Sequence, residues 1–441
     1  MTGINKIPTY NLKVVVQETG IKPDTLRAWE RRYGLPTPER TAGGHRLYSQ
    51  YDIETLKWLL ARQDEGLSIS RAVELWETLR KDGQDPLIAM PSSIQDSSRE
   101  FAGVVSGATL DELREHWIDA VMAFDEPIAE NILTQAFARY PVETVCIELL
   151  QKGLSQVGMM WYGGGASVQQ EHFASALAIR RLDALIAATP NPTRRARVLV
   201  GTPPGEEHTF SALVVTLLLR QRGWPVVYLG ANVPLDRLKS TIEKVNPELV
   251  VFIAMQLDTA ASLLDVARFL QAEDVPLAFG GLIFNQTPYL VDRIPGYYLG
   301  ERLEHAAEIA EKILTINPPM SGGMSPSKAY KVARENFLNA QPHIEATLWQ
   351  ELQDTGMNYQ DILIATNHLS NDIVAALSLG DMNYVQPEIE WLEGFGKNYH
   401  IPPAALKGYF EAYYQAASQH LDARGEPVIA WLDKVRQNFI N

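Results

Sequence analysis

The sequence predicts a multidomain chain: an α-helical helix-turn-helix head, a helical bundle, a Rossmann-like α/β unit on a parallel sheet, and an all-α tail. Three observations predict it. Apolar residues recur at helical spacing over 10–80 and again from about 99 to 190. From 196 the pattern changes to five short apolar runs, ARVLVGT, WPVVYLG, ELVVFIA, VPLAFGG and GYYLG, separated by amphipathic stretches. Such runs are strands of a parallel sheet covered by helices on both faces. Two segments, DGQDPLIAMPSSIQDSS (82–98) and NPPMSGGMSPS (317–327), are rich in turn residues and read as linkers. The expected units are therefore a head over 1–81, a bundle over 99–192, an α/β unit over 193–316 and a tail over 328–441.

Composition narrows the function. A chain of 441 residues fits several domains at roughly 100–200 residues each. No apolar run approaches the ~18 residues of a membrane span, and MTGINKIPTYNLK lacks the apolar core of a signal peptide. The expectation is a cytoplasmic chain without a membrane partner. Cys146 is the sole cysteine, which excludes an intramolecular disulfide and a thiolate cluster for zinc. A net charge of −14 argues against coating nucleic acid along the whole length. Between Lys22 and Arg46, however, the bases Lys22, Arg27, Arg31, Arg32, Arg40 and Arg46 outnumber Asp24, Glu30 and Glu39. A small basic surface on an acidic body suits a confined DNA contact.

In the head, NLKVVVQETGIKPDTLRAWERRYGL reads as helix, tight turn, helix, with Gly20 in the turn and Pro23 opening the second helix. Leu26, Trp29 and Tyr33 share the core face, and Arg27, Arg31 and Arg32 point elsewhere, where guanidinium forks meet phosphates or guanine edges. The plainer alternative is a helical hairpin with a solvated charged face. A glycine-bearing hairpin, TAGGHRLYSQ, follows and enters a helix near Asp52. TLRAWERRYGL followed by GGHRLYSQYDIETLKWL is similar to the winged helix-turn-helix of the MerR superfamily. That resemblance implies contacts to double-stranded operator DNA from the second helix and from the wing residues His45, Arg46 and Tyr48. It also implies dimers, with the ligand chosen by whatever domain follows. Metal-sensing members use cysteines in that following position, and this chain has none there.

In the α/β unit, Gly205-Glu206-Glu207-His208 falls in the loop leaving the first strand, where open α/β sheets bind ligands. His208 alone reads as a polar loop residue or a metal ligand; Glu206, two positions before, can hold its second ring nitrogen. The stretch GTPPGEEHTFSALVVTLLLRQRGWPVVYLGANVP resembles the cobalamin-binding fold shared by methionine synthase, mutases and light-responsive regulators. The resemblance implies that His208 ligates cobalt from below with Glu206 behind it, and that Gly280 and Gly281 admit the nucleotide tail. Ser211 stands where that family has glycine, and Ala254 where it has serine.

In the bundle, Trp161 is followed by nine residues and then Glu171-His172 in MMWYGGGASVQQEHF. Without a family these are a core tryptophan and a solvated helix start. Ahead of a cobalamin fold they resemble the cap of adenosylcobalamin-dependent photoreceptor repressors of the CarH/LitR type. There the tryptophan and acid embrace the adenosyl group, and the histidine takes the upper face of cobalt after light. The resemblance covers residues 5–317 in the same order.

The tail, with YKVARENFLNAQ, TLWQELQDTG, DILIATNHLSNDIVAALS and AALKGYFEAYYQAAS, reads as about six helical stretches broken at Gly380, Pro402–Pro403 and Gly425. It is either an oligomerisation bundle or a second sensor. A related family of cobalamin photoreceptors binds biliverdin in such a domain, and here a bilin would be held without a thioether. The functional expectation is a light-responsive transcriptional regulator, a repressor and not an enzyme, with adenosylcobalamin as chromophore and a dimeric or tetrameric assembly. Two rivals remain: a sensor of cobalamin level without photochemistry, and a subunit of a cobalamin-dependent methyltransferase or mutase. The DNA-reading head weighs against the second.

Overall fold

The computed structural model describes residues 5–40, 44, 46–64, 68–81, 86–87, 108–320, 322–352, 359–387, 389 and 403–438. The chain divides into two compact units, 1–107 and 108–441.

The first unit begins with β1 (Tyr10–Asn11) and helix Leu12–Thr19, whose first turn is capped by the Asn11 side chain accepting from the N–H groups of Lys13 and Val14. Gly20, at φ +69°, ends it in the left-handed conformation that a Cβ would disfavour. Pro23 opens helix Pro23–Tyr33, where a missing N–H costs nothing. β2 (Glu39–Arg40) and β3 (Arg46–Tyr48) form an antiparallel hairpin, and β1 adds to its other side in the order β1-β3-β2. Helices Gln50–Asp64 and Ile69–Lys81 close the unit over Leu26, Trp29, Tyr48, Leu56 and Trp76. The linker reading for 82–98 lies almost wholly outside the described residues.

The second unit opens with the bundle: Leu110–Met122, Glu126–Arg139, a helical run over 142–162 with a π-helical middle at Val145–Gln151, and Val168–Ala187. The first and last carry capping boxes, Thr109 with Glu112 and Ser167 with Gln170. The five apolar runs are the strands β4 (Val198–Gly201), β5 (Val226–Tyr228), β6 (Leu249–Ile253), β7 (Leu277–Gly280) and β8 (Tyr297–Tyr298). They form one parallel sheet in the order β5-β4-β6-β7-β8. The chain leaves β4 toward one side and returns to its other side, so the topological switch lies between β4 and β6. Helices Phe210–Gln221 and Leu303–Ile316 share one core with β4 and β6, and the last bundle helix packs on the first of them.

On the opposite core lies helix Leu257–Ala272. Leu257, Thr259, Ala260, Leu263, Leu264, Val266, Ala267 and Leu270 are all buried, more than the single stripe a helix needs against a sheet. The excess is covered by the tail, whose helix Tyr359–Leu379 packs along it. One apolar core therefore runs from Phe252 and Phe279 in the sheet through this helix to Ile344, Leu369, Ile373 and Phe410 in the tail. The sequence sets the tail apart as a unit over 328–441, whereas its apolar residues join the core of the sheet. Gly, Pro and Ser at 317–327 mark where regular structure stops, and say nothing of whether the next segment packs back.

Two expected tail stretches also merge. Lys328–Leu352 is one helix carrying Pro342 inside it. The ring removes one backbone hydrogen bond, and burial of Ala340, Ile344 and Leu348 on either side keeps the helix in place. Helices Pro403–His420 and Glu426–Asn438 complete the described tail. Among the described residues one helix, Ile362–Leu379, is long and apolar enough to cross a membrane, and half of it is buried in this core.

Candidate functional site

The loop from Thr202 to Thr209 leaves the C-terminal end of β4 beside the switch point. Its backbone is clamped from two sides. Thr202 Oγ1 donates to the Glu206 carbonyl at 2.7 Å and accepts from the Asn232 N–H at 2.9 Å. Asn232 in turn accepts from the Gly205 N–H at 2.8 Å and donates to Glu207 at 3.0 Å. Gly205, at φ +87°, lets the chain double back.

The clamp delivers Glu206 into the protein, where its side chain is fully buried. Its Oε1 accepts from the His208 backbone N–H at 2.9 Å and lies 2.7 Å from His208 Nδ1. Oε2 accepts from the Met255 N–H at 2.7 Å and from the Thr259 hydroxyl at 2.8 Å, both just past β6. Burial pushes the carboxyl's pKa up, but the four donors outweigh it and hold it below the ordinary carboxylate value. For His208 the hydrogen bond to Glu206 is the largest influence. It raises the imidazole's affinity for a proton against the opposing effect of burial, and the Glu206 and Glu171 charges add to it. With Nδ1 committed to Glu206, Nε2 is the nitrogen left for a metal, on a side chain still 60% exposed.

The bundle motif opens helix Val168–Ala187, which packs on helix Phe210–Gln221 directly after the His208 loop, and the Glu171 charge adds to the proton affinity of His208. Trp161, half-buried, ends the 142–162 run, and the Gly163–Gly165 turn leads to the Ser167 cap. Glu171 Oε2 lies 2.8 Å from His172 Nδ1, and its Oε1 accepts from Ser175 at 2.7 Å. The His172 ring is exposed. Ser211 sits half-buried in the first turn of helix Phe210–Gln221.

At the end of β7, Gly281 has φ +129°, and a Cβ there would stand 1.8 Å from the Ala254 carbonyl oxygen. Gly280 meets only ordinary contacts. The donor set, one imidazole backed by a buried carboxylate beside a glycine-lined close approach, fits a corrin cobalt ligated from one side.

In the head, Arg31 and Arg32 are exposed on helix Pro23–Tyr33, with Arg32 over the Tyr33 ring, and Arg27 pairs with exposed Asp24 at 3.3 Å. The wing differs from expectation. Tyr48 is fully buried and donates its hydroxyl to Glu30 at 2.6 Å, so as placed it has no surface to offer DNA. Arg46 pairs with the same carboxylate at 2.8 Å and is largely shielded. His45 lies outside the described residues. Sequence reasoning counted Glu30 only as an opposing charge, and it is the post that fixes both wing residues. It also missed Thr259, Met255 and Asn232, which lie 25 to 53 positions from the residues they bond. Only the sheet order brings them together.

Residues 10–79 match the family described as MerR HTH family regulatory protein, and 113–186 and 196–310 match two families each described as B12 binding domain. The HTH-type transcriptional repressor CarH of Myxococcus xanthus is 34% identical over 242 residues, 55% of this chain and 77% of that protein. The repressor CarA of the same organism is 31% identical over 285 residues, 62% of this chain and 87% of CarA. This chain belongs to the CarH-type family of cobalamin-dependent MerR regulators. A transcriptional regulator, not an enzyme, is what these relatives support. Among solved structures, the monomethylamine corrinoid protein of Methanosarcina barkeri is 20% identical, with a TM-score of 0.40, over 46% of this chain and 97% of that one. The three matched families end at residue 310, ahead of the tail that shares the sheet's core.

Proposed function

We propose that this CarH-type regulator is a light-responsive repressor that binds adenosylcobalamin between its helical cap and its sheet. The observation that carries the reading is the packing of two elements that each open on a motif: helix Phe210–Gln221, just after Glu206-His208 at the switch point, and cap helix Val168–Ala187, which carries Glu171-His172. His208 would ligate cobalt through Nε2, with Glu206 fixing the tautomer. Trp161 and Glu171 would cover the adenosyl side, while Ser211, Gly280 and Gly281 line the lower path. When bound, the cofactor supplies a cobalt–carbon bond that visible light breaks. His172, exposed beside Glu171, would be the cap residue that offers an imidazole to cobalt after light. Contacts of Trp161, Glu171 and His172 that differ between dark and light would bias the position of the cap, and through it assembly as dimer or tetramer and affinity for operator DNA. Arg27, Arg31 and Arg32, exposed on helix Pro23–Tyr33, would supply the DNA contacts. The regulator would act in the cytoplasm.

An absorption spectrum of the purified protein loaded with adenosylcobalamin, in the dark and after green light, tests this. A photoproduct with imidazole on the upper face is expected in wild type and lost in His172→Ala, which should still bind and photolyse. A spectrum unmoved by light would leave the sensor of cobalamin level; methyl transfer without operator binding would restore the enzyme reading. Biliverdin added to the same protein separates the two roles of the tail: a new red band means a second chromophore, none means assembly.

A further inference from the structure

We propose that Arg114 is a positioning residue for Trp161: by bracing the π-helical stretch Val145–Gln151, it fixes which face of the cap's 142–162 run carries the tryptophan. The inference rests on the reading of Trp161 as the cover of the adenosyl group. A π-helical turn holds more residues than an α-helical one, is rare, and is often found at functional sites. Here the Lys152 N–H reaches back five residues to the Ile147 carbonyl, and also to Leu149. In an α-helix it would go to Glu148. The Glu148 carbonyl takes Arg114 Nη1 at 2.8 Å. The same guanidinium donates through Nε to Gln156 Oε1 at 3.2 Å and pairs with Asp111 at 2.7 Å. Its side chain is only 12% exposed. One arginine on helix Leu110–Met122 therefore ties the π-helical stretch to the α-helical turns that follow it.

Absorbing one extra residue turns everything beyond it by roughly 100° about the axis, relative to an unbroken α-helix. The turn places Gly153, Val157 and Trp161 four apart on one face, the first two buried and the tryptophan half-buried. Gly153 belongs on that face because a Cβ there would stand 2.9 Å from the ring of Trp117, which is fully buried. If the stretch closed to α, Lys152, Gln156 and Met160 would take the three places. A lysine would then press on Trp117, and Trp161 would leave the face. The packing of Gly153 on Trp117 thus favours the π form, and Arg114 supplies the Glu148 carbonyl with a charge-assisted partner in it.

The test titrates full-length protein in the dark with adenosylcobalamin and with methylcobalamin, which keeps the corrin and the cobalt–carbon bond but lacks the adenosyl group. Arg114→Met, which retains the stem and loses the donors, should bind adenosylcobalamin about tenfold more weakly and methylcobalamin as wild type does. Arg114→Lys, still a donor to Glu148, should recover part of the loss. Gln156→Ala removes one anchor at an exposed position, where the fold is safe, and should show the same selectivity at about threefold. In the Trp161→Ala background, Arg114→Met should cost nothing more, since both act by one route. Equal losses for both cobalamins, no loss for either, or additive losses in the double variant would overturn the proposal. If Trp161→Ala itself leaves the preference for adenosylcobalamin intact, the reading of Trp161 fails and takes this inference with it. A loss in Trp161→Ala with none in Arg114→Met or Gln156→Ala rejects the inference alone.

Discussion

Gly281 separates two reasons for a glycine beside a ligand site. The family resemblance gives it room for the cofactor's nucleotide tail, whereas the structure makes it a requirement of the fold. A Cβ at Gly281 would stand 1.8 Å from the Ala254 oxygen and 2.7 Å from its carbonyl carbon, both backbone atoms at the end of β6. Its φ of +129° adds strain for any L side chain. Strain of ~1–3 kcal/mol and overpacking of ~1–3 kcal/mol together predict a loss of about 2–6 kcal/mol for Gly281→Ala. Each kcal/mol moves the melting temperature of a unit this large by roughly 2–4 °C. The cobalamin-free variant should therefore melt at least about 4 °C lower in differential scanning calorimetry. Gly280→Ala is the control, since its Cβ would meet Leu299 at 3.6 Å and Ile253 at 3.9 Å, ordinary contacts. It should melt like wild type, so any loss of cobalamin affinity in it reports space for the ligand. If cobalamin-free Gly281→Ala melts within 1 °C of wild type, the close approach of β7 to Ala254 is wrong and the steric reasoning fails with it.

Three further outcomes follow from the same geometry. Because Glu206 raises the pKa of His208 above 6.5, that contribution to stability is complete below about pH 6.5 and disappears as pH rises through the raised value. The lowered pKa of Glu206 acts in the opposite sense, contributing above about pH 4.5 and vanishing as pH falls through the folded value. In cobalamin-free protein the pair thus supports the fold most between about pH 4.5 and 6.5; an NMR titration should find His208 above 6.5 in wild type and back near it in Glu206→Gln. Arg31→Ala should flatten the dependence of operator affinity on salt by about 0.9 in log–log slope, one phosphate contact, and an unchanged slope would remove Arg31 from the DNA surface. Ending the chain at Gly323 should give an aggregating, dye-binding fragment, because helix Leu257–Ala272 and the sheet-side core lose their cover from Ile344, Leu369 and Ile373. A monodisperse fragment with undiminished cobalamin uptake would show that the shared core is dispensable.

What the sequence by itself determined was whatever is written in local pattern. Five apolar runs became five parallel strands, Gly20 and Pro23 bounded two helices, and the contiguous motifs placed Glu206-His208 and Glu171-His172 on loop and helix starts. Contacts between distant positions left no such trace. Thr259 and Met255 complete the Glu206 cradle only because β6 lies beside β4, and nothing in a serviceable helix start marks it as a hydrogen-bond donor to a residue 53 positions away. Tyr48 reads like a wing contact until burial turns its hydroxyl onto Glu30. The linker at 317–327 likewise reports a stretch that cannot hold regular structure, a local property. Whether the tail then folds alone or covers helix Leu257–Ala272 depends on apolar area on two surfaces meeting in space, and that was decided only by the tertiary structure.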